Sequence, residues 1–184
     1  MLIIDDMKSS KGFTLLELMV TLVVSAILIF VAIPSFVSFI RNSQMTTQAN
    51  AFFTDLSLTK SEAVKRNSRV SICASTNGTT CSGSTNWATG WIVFTDASGT
   101  SGVLDGSDEL LRVHAEIKGD ATFTSNGDTY VQFTSSGYSS SYNDASATET
   151  LFTLNHASCT GDQKRVISVA PFGRVEVERQ TCGT

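Results

Sequence analysis

The chain has no concentration of positive charge, almost no proline and only two histidines, and each scarcity removes a class of function. Net charge is −4, from 13 Lys and Arg against 17 Asp and Glu, so no overall field draws the chain toward nucleic acid. Pro34 and Pro171 are the only prolines, too few for a stiff proline-rich spacer. His114 and His156 lie far apart and in no Gly-x-Ser-x-Gly or His-Glu-x-x-His setting, which leaves acyl transfer and metalloproteolysis without a motif. No Cys-x-x-Cys pair is present, so a structural zinc site has no sequence basis either. No internal repeat appears. With 184 residues there is length for one compact domain and an extra element, but not for two cores.

Charge is also missing locally. From Leu15 to Ile40 the only ionisable residue is Glu17, whereas the region after Arg41 is rich in Ser, Thr, Gly and Asn. As a helix the apolar run measures roughly 39 Å, against a hydrocarbon core of about 30 Å. It is too long for a secretory signal core, and no small-residue cleavage site interrupts it: Ala32 falls just before Pro34 and the run continues. The segment reads as a membrane span. Lys8 and Lys11 on its leader side predict a cytoplasmic leader and an outward-facing domain.

Glu17 needs a reason. A carboxylate within a span costs on the order of 2.5–3.5 kcal/mol at the bilayer centre and less near an interface. Cleavage between Gly12 and Phe13 would place Glu17 in the first turns of a new helix. There the dipole favours a negative charge and a fresh terminal ammonium can pair with it.

Past Arg41 the helical period continues. Met45, Ala49, Phe52, Leu56 and Ala63 form one stripe, with Ser43, Thr47, Asn50 and Ser61 opposite and Gln44 and Asp55 on a flank. The helix is expected to end near Asn67, with Lys65 and Arg66 in its last turn. Beyond it lie eight short β-branched or aromatic segments, separated by Gly, Ser, Asn and Asp: Arg69–Ala74, Gly90–Thr95, Leu110–His114, Ala121–Thr124, Tyr130–Thr134, Leu151–Leu154, Arg165–Val169 and Arg174–Glu178. Alternation in Val131-Gln-Phe133 and Val175-Glu-Val177 argues for half-buried antiparallel strands. The expected fold is α+β: a long helix whose Met45 stripe lies over one face of an antiparallel sheet. The expected divisions are a leader at 1–12, a membrane helix at 13–40, an amphipathic helix at 41–67 and a β-rich domain at 68–184. Trp91 reads as core and Trp87 as a loop anchor.

Cys73, Cys81, Cys159 and Cys182 all lie beyond the span, which places them in an oxidising compartment. Of three pairings, Cys73–Cys81 closes a polar loop and Cys159–Cys182 ties the final strands. The carboxylate-rich stretch from Asp96 to Glu109 does not match the order of a twelve-residue calcium loop and reads as a solvated turn.

Lys11-Gly12-Phe13-Thr14-Leu15-Leu16-Glu17-Leu18 resembles the prepilin peptidase motif of type IV pilins and type II secretion pseudopilins. The resemblance implies cleavage after Gly12 by a prepilin peptidase, N-methylation of Phe13, and use of Glu17 to recognise a neighbour's terminal amine during assembly. Pro34 matches the helix-bending proline of such subunits and removes the amide that would bond the Phe30 carbonyl.

Farther along, Ser61-Glu62-Ala63-Val64-Lys65-Arg66, Val70-Ser-Ile-Cys73, Trp87-Ala-Thr-Gly90-Trp91-Ile-Val-Phe94-Thr-Asp96, and Gly173-Arg174-Val175 ahead of a terminal Cys are similar to the GspH/FimT family. That resemblance implies a structural subunit, not an enzyme, without cofactor or metal. It would sit in the bacterial inner membrane with a periplasmic C-terminal domain and then enter a filament. Its partners would be other minor pilins or pseudopilins and the major pilin. The pilus version is expected over the secretion version, on the two disulfides and the C-terminal arrangement.

Some FimT-type pilins bind DNA through a basic C-terminal Gly-Arg-x-Arg loop. Here Gly173-Arg174-Val175-Glu176 keeps one Arg and replaces the other with Glu. The candidate contacts Lys164, Arg165, Arg174 and Arg179 are offset by Asp162, Glu176 and Glu178. So few net phosphate contacts leave weak, salt-sensitive affinity, and DNA is not the expected partner.

The leader departs from the family pattern, because Asp5 and Asp6 cancel Lys8 and Lys11. A start at Met7 restores a short basic leader. Amino-terminal sequencing of the unprocessed protein from a peptidase-null strain is expected to return Met7; recovery of Met1 refutes the later start.

Overall fold

The computed structural model describes residues 12–139 and 149–183; the leader through Lys11, including Met7, lies outside them. One helix, α1, runs Leu15–Arg66. The chain divides into two units, one ending at Ile40 and one beginning at Arg41. In the first, the helix presents exposed apolar side chains from Leu15 through Ile40, and α1 is long and apolar enough to cross a membrane.

In the second unit α1 ends in a way its last residues dictate. Lys65 and Arg66 face the negative end of the dipole. Asn67 then turns left-handed at φ 49°. Its N–H bonds the Val64 carbonyl at 3.2 Å and the Ser68 N–H reaches the Ala63 carbonyl at 3.1 Å. That pair of bonds satisfies the last carbonyls of the helix.

Eight strands come next: β1 (Val70–Ala74), β2 (Trp91–Thr95), β3 (Leu110–His114), β4 (Ala121–Ser125), β5 (Tyr130–Phe133), β6 (Thr150–His156), β7 (Lys164–Val169) and β8 (Val175–Gln180). They form two four-stranded sheets, not the single sheet expected. Sheet A has the order β3-β2-β1-β5 and sheet B the order β4-β6-β7-β8, antiparallel throughout. The split arises because β4 pairs with β6 while β5 returns to β1, a non-local choice that short alternating segments do not encode.

Both sheets turn apolar side chains toward α1. Met45, Ala49, Phe52, Leu56 and Ala63 are buried in one cluster with Ile72, Trp91, Val93 and Phe133 of sheet A and Phe123, Phe152, Leu154, Ile167 and Val169 of sheet B. Phe52 is its centre. Its ring meets Trp87, Trp91, Phe123 and Phe152 edge-on at 5.5, 5.1, 4.8 and 4.8 Å, within the range where aromatic pairs add to area burial. Trp87 is a loop residue, yet its side chain is fully buried in that cluster.

Sheet A is covered on its other side as well. Cys73, Ile92 and Phe94 form a second cluster with Cys81, Leu104 and Tyr130, which is why β1 and β2 are buried at every position. A disulfide joins Cys73 to Cys81, and another joins Cys159 to Cys182.

Three polar residues depart from the sequence reading. Asp55, placed on a helix flank, is buried: it accepts from Trp91 Nε1 at 2.9 Å and lies 2.9 Å from Arg112 Nε. Asp96, placed in a solvated turn, is fully buried and accepts from the Ser71 hydroxyl, the Gly102 amide and the Gln132 amide group. Gln132 is therefore buried too, so β5 does not alternate. In each case a polar group far off in sequence supplies the bond that burial demands.

Replacing Phe52 with Ala is expected to cost about 3–5 kcal/mol, read as a lower urea midpoint for the detergent-solubilised chain. Phe53→Ala, at an exposed neighbouring position, is expected to change the unfolding free energy by less than about 1 kcal/mol.

Candidate assembly site

Phe13 is exposed, and with Gly12 and Thr14 it precedes the first helical residue, Leu15. Thr14 caps α1: its hydroxyl accepts from the Glu17 N–H at 3.2 Å, and its carbonyl accepts from the Leu18 N–H at 3.2 Å. Thr14-x-x-Glu17 is the spacing of a capping box, a sequence signal that overlaps the cleavage motif. The cap puts the Glu17 carboxylate in the first turn, at the positive end of the dipole. Thr21 and Ser25 spend their hydroxyls on the Leu18 and Thr21 carbonyls at 2.9 and 2.7 Å. Glu17 is thus the charged feature of an otherwise apolar stretch. The helix continues through position 34 despite the proline.

The four basic residues near the C-terminus do not form one patch. Arg165 is buried. Its guanidinium donates to the Asp162 and Lys164 carbonyls at 2.8 and 3.1 Å, to Asn42 Oδ1 at 2.6 Å and to Thr46 Oγ1 at 3.1 Å. Burial pushes its pKa down, the charge of Arg179 acts in the same direction, and Asp162 opposes both. A side chain spent on clamping β7 to α1 has nothing left for a phosphate, so Arg165 is withdrawn as a DNA contact. Arg174 is exposed and pairs with Glu176 at 3.2 Å. Arg179 stands opposite Arg165 and Lys164 opposite Gln180 in the β7–β8 register.

The histidines serve local structure. His114 stacks on Trp91 with ring centres 3.9 Å apart, and His156 Nδ1 accepts from the Ser158 amide at 3.0 Å. In the loop after β2, Asp105 accepts from the Thr100 amide at 3.0 Å and Asp108 from the Ala97 amide at 3.1 Å. Among the described residues no three His, Cys, Asp or Glu side chains converge as a metal site would require.

Comparison with known proteins agrees with this arrangement. Residues 48–173 match the family described as type II transport protein GspH, which is more than half of the chain. The chain belongs to that family. Residues 7–33 match the prokaryotic N-terminal methylation motif. The type IV minor pilin FimU of Pseudomonas aeruginosa superposes in two crystal forms, at TM-scores of 0.54 and 0.58 and identities of 24% and 22%; the alignments cover 74% and 78% of this chain and 98% of FimU. That likeness shows the fold. The minor pseudopilin EpsH of Vibrio cholerae aligns over 77% of this chain and 99% of its own, at 10% identity and a TM-score of 0.47, too low to carry an argument. A search of the curated proteins finds no match. This GspH-family chain is a minor pilin or pseudopilin, a structural subunit that assembles with other pilins, and its apolar helix and methylation motif fit membrane anchoring.

Arg165→Ala is expected to cost about 1.5–3 kcal/mol, as for hydrogen bonds to a charged group, whereas the exposed Arg174→Ala stays within about 0.5 kcal/mol. Urea unfolding of both variants checks the difference.

Proposed function

We propose that this chain is a minor pilin of a type IV pilus that helps start or cap the filament. Entry would require cleavage between Gly12 and Phe13 by a prepilin peptidase at the inner membrane and methylation of the new Phe13 amine. Glu17 carries the assembly step. Its carboxylate sits in the first turn of an apolar helix, where a bilayer or a packed filament core leaves few groups to satisfy it. The ammonium of Phe13, or that of an adjacent subunit, is the partner with matching charge and position. The observation that carries this reading is the capped first turn, which fixes Glu17 three residues from the cap.

The domain from Arg41 onward, periplasmic in this reading, supplies contacts to other minor subunits and to the major pilin. Pro34 would relieve the helix locally by removing one backbone donor. The pilus is taken over a type II secretion pseudopilus because the two disulfides and the C-terminal arrangement resemble those of FimT-type subunits. The pseudopilus is the second reading, favoured by the family match itself.

Glu17→Gln is expected to leave leader removal and membrane insertion intact and to reduce recovery in sheared filaments at least about tenfold, roughly 1.4 kcal/mol. Mass spectrometry of the extracted protein should show a chain that begins at methylated Phe13. An intact leader in cells with an active peptidase, or unchanged filament recovery of the variant, refutes the assignment. A deletion strain scored together for piliation and exoprotein secretion separates the two systems.

A further inference from the structure

Two clefts adjoin between the outer flank of α1 and strand β8. One of about 550 Å³ is lined by Phe53, Lys60, Val64, Gly173, Arg174 and Val175, among others. Its neighbour, about 490 Å³, is lined by Asn50, Phe53 and the four consecutive residues Val175 to Glu178. Together they form a groove along α1 from Asn50 to Lys65, about 22 Å at 1.5 Å per residue. β8 is the last strand of sheet B, and among the described residues it pairs with β7 alone.

One bond sets the direction of the β8 backbone. The Ala170 N–H donates to the Arg174 carbonyl at 2.8 Å, so Arg174 turns its backbone groups toward β7. Because these groups alternate along an antiparallel strand, Glu176 and Glu178 also face β7, while Val175 and Val177 point theirs into the groove. In the turn before β8, Lys60 Nζ donates to the Gly173 carbonyl at 2.8 Å. Among the described residues no side chain does the same for Val175 or Val177.

We propose that this edge receives an extended segment of a neighbouring filament subunit, added to sheet B as a fifth strand. The inference rests on the filament role above and goes beyond it in naming the contact. Lining by consecutive residues distinguishes a strand from a helix. A helix laid on the sheet face would meet every second residue of β8, whereas here odd and even positions alike border the space, so the space runs along the backbone edge. Charge sets the orientation. Lys60, at one end, has no carboxylate partner among the described residues, and Glu178 lies at the other end, while Arg174 and Glu176 neutralise each other at 3.2 Å between them. The incoming segment therefore has apolar alternate residues between Phe53 and Val64, an acid at the Gly173 end and a base at the Glu178 end. The charges on β8 also keep the edge from pairing indiscriminately.

The test uses full-length protein in cells that assemble the filament, with p-benzoylphenylalanine in place of Ser57 in the groove or, separately, of Val24 in the apolar helix. Irradiation is expected to join position 57 to a segment of another filament subunit that mass spectrometry maps to non-helical sequence. Val177→Pro removes an outward amide without touching the β7 ladder, and Val64→Glu places an acid on the groove wall at an exposed helix position. Each is expected to lower the yield at position 57 at least about tenfold and to leave the yield at position 24 unchanged. Adducts at 24 but none at 57 overturn the groove proposal and spare the filament role, whereas adducts at neither overturn both. A crosslink to a helix, a crosslink within the same chain, or an unchanged yield in both variants overturns strand addition.

Discussion

The domain from Arg41 onward depends on one constraint: two sheets share a single helical stripe as the cover for their inner faces. A four-stranded antiparallel sheet with one apolar face needs a second layer to exclude water. Here the segment of α1 from Met45 to Ala63 serves both. Phe52 touches β2 of one sheet, β4 and β6 of the other, and the loop that carries Trp87. Removing the helix would expose both sheets at once, so its rotation about its own axis has to be fixed.

Polar groups fix it. Asp55 bonds Trp91 of sheet A, while Asn42 and Thr46 accept from Arg165 of sheet B. These contacts lie on either side of Phe52 along the helix, and each ties α1 to a different sheet. An apolar stripe alone tolerates small slides, whereas a buried carboxylate and a buried guanidinium lose their bonds if the helix turns by a single residue. The cost of burying them is offset by a defined register, the use of buried polar groups with the best support elsewhere.

The periodic features were legible in sequence for the same reason that they are stable. The stripe from Met45 to Ala63 keeps to the helical repeat, and all eight strand segments appear within a few residues of their expected bounds. The apolar run and Glu17 were visible because charge is expensive in lipid. Sheet pairing was not legible, since β4 and β5 look alike locally but join different sheets. Nor was the burial of Asp55, Asp96, Gln132 and Arg165, because each relies on at least one partner 25 or more residues away in the chain. The proposed β8 edge is invisible in sequence altogether, as it depends on which strand ends the sheet.

The cap at Thr14 bears on processing. Gly12 and Phe13 lie ahead of the helix, so a protease acting between them meets backbone free of the helical ladder and has no turn to unwind. Removal of the preceding residues leaves every bond from the Thr14 carbonyl onward in place. In the processing proposed above, maturation would change the charge at the tip of an already capped helix without resetting its geometry, so that cleavage alone would ready the subunit for assembly.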